Sequence, residues 1–133
     1  MDDHRTRIAQ TCLEGAESNT MTFPQIVGTL MKEGFESYSI DYRRATATYF
    51  LLDGDSIVLP TRRGDSPIAA AMDVAAVQAA IKEAQQLAPG YTYAGFSAKV
   101  MAAGCVGYIV SFTGRRALYF GRTAETHVEH FPQ

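Results

Sequence analysis

Apolar positions recur first at the spacing of a helix and then at that of a strand, and the whole pattern appears twice. Phe23, Ile26, Val27, Leu30 and Met31 fall at i, i+3, i+4, i+7 and i+8, one stripe of an amphipathic helix. Thr22 and Gln25 before and within that stripe form a capping-box pattern, Pro24 sits in the first turn, and Gly34 supplies the stop. Tyr38, Ile40 and Tyr42 then alternate with Ser39 and Asp41, the period of a half-buried strand. Arg43-Arg44-Ala45 makes a turn. Residues 46–52 are rich in β-formers with apolar side chains on both faces, as in a strand inside a sheet. Asp53-Gly54 predicts a two-residue hairpin, with 56–59 returning before Pro60.

A polar loop, 61–67, leads to an Ala-rich segment, 68–88, helical from Asp73 as N-cap with Val74, Val77, Ile81 and Ala84 or Ala88 inward. Thr92 caps the next helix, with Tyr93, Phe96, Val100 and Met101 on its stripe and Gly104 at its end. Strands over 106–112 and 116–120 follow around a turn at Thr113-Gly114, and the polar tail 123–129 predicts an edge strand. A short helix over 4–16, with Ile8, Cys12 and Leu13 or Gly15 inward, leads into the first unit.

The two halves are copies. Residues 22–50 align with 92–120 at a constant offset of 70, pairing Thr22 with Thr92, Gly34 with Gly104, Tyr38 with Tyr108, and Tyr49-Phe50 with Tyr119-Phe120. Two units are too few for a solenoid, so the repeat predicts one domain, 1–133, with a pseudo-two-fold axis. The expected class is α+β: duplicated helix-strand-strand units, joined by the Ala-rich helix, forming one mainly antiparallel sheet with helices packed on one face. Tyr49, Leu51, Leu118 and Phe120 are expected on the opposite face, where they need cover from another segment, a ligand or a second subunit.

Composition narrows the function classes. With 47% hydrophobic and 20% charged residues the chain is globular, and no apolar run approaches the roughly 18 residues of a membrane span. No signal-peptide core follows the polar start, and two cysteines far apart are no disulfide framework, so a cytoplasmic location and no membrane partner are expected. Twelve bases against fourteen acids provide no field for nucleic acid, which is not expected as a partner. Phosphate-loop, dinucleotide and nucleophile-elbow motifs are missing.

Three constellations could carry chemistry. His127, Glu129 and His130 are the one cluster of metal-capable side chains, completed only if Glu125, Asp41 or Cys105 joins them. Without metal, His127 and Glu129 are candidate acid–base groups. Cys105 is a candidate nucleophile, although its place after a helix C-terminus raises a thiol pKa, and Asp41 is a further catalytic candidate. Arg43-Arg44 and Arg115-Arg116 sit at the tips of equivalent hairpins and are anion-binding candidates, with Arg62-Arg63 a third pair. Each has a plainer reading as an edge, a buried thiol or a solvated turn.

The stretches Thr22-Phe23-Pro24-Gln25-Ile26, 34–42, Ala103-Gly104-Cys105 with Tyr108, and the tail 120–132 make the chain resemble the YdfO-like family of small bacterial proteins, often called phage envelope proteins. The resemblance implies a compact α+β fold and association with prophage regions, and it brings no activity or catalytic residues. The reading favoured by the residues is a non-enzymatic binding or regulatory module, without a cofactor, acting through a sheet face or the repeat interface on a protein or small-molecule ligand. A homodimer is expected. The alternative is a small enzyme or metal-binding protein using the His127-x-Glu129-His130 cluster.

Overall fold

The computed structural model describes residues 1–132; Gln133 lies outside them. Its elements are α1 (Asp3–Glu17), α2 (Phe23–Lys32), β1 (Phe35–Asp41), β2 (Thr46–Leu51), β3 (Ser56–Pro60), α3 (Val74–Gln86), α4 (Tyr93–Ala102), β4 (Cys105–Ser111), β5 (Arg116–Gly121) and β6 (Thr126–His130). The strands form one antiparallel sheet in the order β3-β2-β1-β4-β5-β6.

The repeat is larger than the sequence suggests. α2, β1, β2 and β3 carry the same bounds as α4, β4, β5 and β6 at an offset of 70, and α1 and α3 are cap-equivalent, with Asp2 and Asp73 both accepting from the backbone of N3. The unit is therefore two helices and three strands. The helix over 3–17 is the counterpart of the Ala-rich helix and not a leader, a kinship hidden because the two share a cap and little else. Finer features also repeat. Bulges fall at Glu36 and Val106, Ala45 and Arg115 both have positive φ, and the Gly34 and Gly104 stops both enter the left-handed half of backbone space.

The halves meet at β1 and β4, where Ser39 pairs with Ile109, its own repeat counterpart, so the pseudo-two-fold axis runs through that pair. At either end the bulge carbonyls close the join: Tyr42 N donates to Val106 O and Phe112 N to Glu36 O. One sheet face is covered. Phe35, Tyr38, Ile40, Ala47, Tyr49, Leu51, Tyr108, Val110, Ala117 and Tyr119 pack with the buried stripes of the helices in one core. Tyr49 and Leu51 thus point into the core, contrary to expectation, because Ala47, Tyr49 and Leu51 hold the buried phase of β2. Leu118 and Phe120 are on the open face as expected. There Ile109, Leu118 and Val128 stand in one row across β4, β5 and β6, with Ile109 and Val128 exposed.

Two local expectations are revised, while the start of the Ala-rich helix at the Asp73 cap holds. Leu52 to Asp55 form a four-residue connection between β2 and β3, Gly54 supplying the positive φ, so Asp53-Gly54 is not a two-residue hairpin. Residues 68–72 run extended past α4 and join the helix only at the Asp73 cap, because Ala69 N and Asp73 N donate to Met101 O and Ala103 O. Met31 and Val74 lie on helix flanks and are exposed.

That crossing segment distinguishes the two stop glycines. A Cβ on Gly104 would stand 2.4 Å from Ala71 O, whereas one on Gly34 would meet nothing nearer than the Arg5 guanidinium at 4.0 Å. Gly34→Ala is expected to cost only the backbone strain, about 1 to 2 kcal/mol. Gly104→Ala adds a steric clash and is expected to cost about 3 kcal/mol or more. Urea denaturation of the two variants checks this; equal losses would mean that the 61–73 crossing yields freely.

Candidate functional site

The identities kept between the halves build a belt of tyrosines. Tyr38 and Tyr49 are paired across β1 and β2 with rings stacked at 5.5 Å, and their counterparts Tyr108 and Tyr119 repeat the contact at 5.0 Å across β4 and β5. Tyr38 and Tyr108 meet edge-on at 6.4 Å across the axis. Four rings therefore cross the inner face in a row, each pair adding about 0.5 to 1.5 kcal/mol beyond its buried area. Tyr93 on α4 reaches down to them, its hydroxyl 2.9 Å from that of Tyr108.

Above the belt the helices leave a cavity of about 690 Å³. Its roof is Cys12, Leu13 and Ala16 of α1, Ile81 and Ala84 of α3, and Tyr93 and Phe96 of α4, and its floor is the inner face of the sheet. The two helix-connecting loops and the end of β6 with Phe131 and Pro132 form the remaining wall. Those loops are repeat counterparts, with Asn19 and Gly90 both at positive φ, and they are tied across the halves where Tyr93 N donates to Asn19 Oδ1 at 2.8 Å. Exposed apolar side chains mark this wall. Phe23 packs edge-on against Phe131 at 5.5 Å, and Leu87 is 58% exposed in a left-handed cap conformation that glycine adopts at lower cost.

The polar groups facing the cavity are unusual for a core. Tyr38, Tyr49 and Tyr119 are 6%, 3% and 6% exposed, yet among the described residues no protein group hydrogen-bonds their hydroxyls, which remain accessible from the cavity they line. Burial pushes every one of these phenols upward, Tyr38 and Tyr108 far above the ordinary range, so all stay protonated and able both to donate and to accept. At the β6 wall Glu129, on the inner face of the edge strand opposite Ala117, accepts from His127 Nε2 at 3.1 Å.

The candidates drawn from sequence motifs are scattered. His127 and Glu129 do share the inner face, but His130 belongs to the other alternation of β6, opposite Arg116. Asp41 is on the open face at the end of β1, three strands from β6, about 14 Å at ordinary strand spacing, and its Oδ1 accepts from the N–H groups of Arg43 and Arg44 to hold the turn. Cys105 is fully buried at the start of β4 outside the cavity lining. Among the described residues no group of three or more His, Cys, Asp or Glu side chains is arranged to hold a metal ion.

The arginines regroup. Arg43 lines an open cleft of about 470 Å³ together with Arg63 and Arg122, while Arg44, Arg115 and Arg116 do not line it. The hairpin pairs are staggered, since Ala45 and not Arg43 is the repeat counterpart of Arg115. Arg115 instead lies over the Phe131 ring at 5.8 Å, and Arg116 Nε donates to Gly114 O.

No family model matches the chain, and no curated protein is similar to it at a significant level. Among the described residues no helix is long and apolar enough to cross a membrane.

The two thiols yield a prediction of pH dependence. Burial pushes Cys12 and Cys105 up to about 11, whereas an unfolded thiol ionises near 8.5, at about pH 8 to 9. The unfolded chain therefore loses these protons first, and stability, fully present below about pH 8.5, falls as pH rises towards 11. The urea midpoint is expected to drop steadily over that interval and to drop less in Cys105→Ala; a midpoint flat in the wild type would mean that the thiols reach water.

Proposed function

We propose that the protein is a non-enzymatic small-molecule-binding module whose ligand occupies the cavity between the helix layer and the inner sheet face, at the interface of the repeats. The observation that carries this reading is the set of three phenol hydroxyls, on side chains more than nine-tenths buried, that open into the cavity without a protein partner. Each hydroxyl is accessible from the cavity and can both donate to and accept from a molecule bound there. A volume of about 690 Å³ suits a drug-sized molecule, and the apolar rim at Phe23 and Leu87 suits its entry. The resemblance to the YdfO-like family, with its prophage association, belongs to this proposal and assigns no chemistry to the cavity.

Saturable binding of the neutral fluorophore N-phenyl-1-naphthylamine, with enhanced emission, is the expected result. Ala84→Phe, which fills the cavity from α3, should weaken it at least about tenfold while circular dichroism stays unchanged. Binding that is absent, or indifferent to Ala84→Phe in a folded variant, overturns the reading.

Homodimerisation over the open sheet face, through the exposed Ile109 and Val128 row, completes the proposal. Sedimentation velocity at micromolar concentration is expected to show a dimer that Ile109→Glu dissociates; a wild-type monomer would remove this part alone.

A further inference from the structure

The charge around the cavity is one-sided. Among the described residues its lining contains one carboxylate side chain, Glu129, and one imidazole, His130, with neither lysine nor arginine. A second carboxylate, Glu17, lies outside the lining and is paired with Arg62, whose backbone N–H donates to it at 2.7 Å and whose Nε stands 3.9 Å away. Arg115, the cation beside the Phe131 wall, is engaged with that ring and with the Pro132 carbonyl.

Resting on the reading of the cavity as a ligand site, we propose that its occupant is a small organic cation, an ammonium or protonated amine carried on an apolar body of aromatic size. Aromatic ring faces carry negative quadrupole potential and attract cations, most strongly where water is excluded. Tyr38, Tyr49, Tyr108, Tyr119 and Phe96 make the lining aromatic, and Glu129, beside His127, supplies a carboxylate at the wall. The unpartnered phenol oxygens accept from N–H donors, so the same three groups that lack a protein partner fit a protonated amine. An anion would be buried against Glu129 with no lysine or arginine in the described lining to receive it, which is costly. A hydrocarbon would leave the three hydroxyls unpaired.

A series with one shared body separates the possibilities: 5-phenylpentyl chains ending in trimethylammonium, in primary ammonium, in uncharged tert-butyl, or in carboxylate, measured by displacement of N-phenyl-1-naphthylamine and by calorimetry. Both cations are expected to bind at least about tenfold more tightly than the tert-butyl compound, with the carboxylate weakest. The primary ammonium should lose affinity in Tyr38→Phe. Glu129→Gln, a substitution at a half-buried edge position, should cut cation affinity about fivefold and leave the tert-butyl compound unchanged. Equal affinity across the heads, or a preference for carboxylate, overturns the cation assignment while the cavity remains a ligand site. If no member binds and the fluorophore is also excluded, the ligand-site reading fails as well.

Discussion

Everything in this fold hangs on the antiparallel pairing of β1 with β4. Each half alone is a three-stranded sheet under two helices, with β1 or β4 as a bare edge carrying unpaired backbone groups. Joined to each other, those edges become the centre of a six-stranded sheet, and among the described residues the edges left are the short strands β3 and β6. The register that places Ser39 against Ile109 also decides which residues share the inner face. A slip of one position would turn either Tyr38 and Ile40 or Tyr108 and Val110 out to the open side. The carbonyls of the two bulge residues, each accepting from the strand of the other half, pin that register at both ends.

The cavity follows from how the halves fill the space above that sheet. Helices pair within their own repeat, α1 with α2 and α3 with α4, and the two pairs touch chiefly through α1 and α4. The small side chains Ala16, Ala84 and Ala117 face the gap, and the phenol belt closes it below. The halves have also traded volume. Phe35 in the first corresponds to Cys105 in the second, while Ile26 corresponds to Phe96, so one aromatic ring in each half sits on a strand in one case and on a helix in the other. Such compensated exchange keeps a core full while changing its shape.

Much of the architecture was legible in the residues, because the 70-residue repeat, the Thr22 and Thr92 caps and the period-2 strands are all local signals. The full repeat was not, since α1 and α3 share little beyond the Asp2/Asp73 cap and Ala9/Ala80, and β3 and β6 differ in polarity: Ile57 and Leu59 against His127 and Glu129. The cavity-lining tyrosines were visible as repeat identities, Tyr38 with Tyr108 and Tyr49 with Tyr119, but nothing in sequence separates an aromatic kept for packing from one whose hydroxyl opens on a void. Motif logic drew attention to His127, Glu129, Cys105 and Asp41 because those side chains carry familiar chemistry. Their burial, face and distance are set by strand register, which becomes definite only when six strands are assembled.

The pair Ser39 and Ile109 on the axis has an implication for ancestry and for recognition. A single unit of this kind would meet a second copy through an isologous contact in which residue 39 faces itself, and any pocket straddling that contact would be bound to two-fold symmetry. Covalent fusion lifts the obligation. Phe35 and Cys105, Phe23 and Tyr93, or Ile57 and His127 can then diverge independently, so a chamber lying across a symmetry axis is free to fit a molecule that has none.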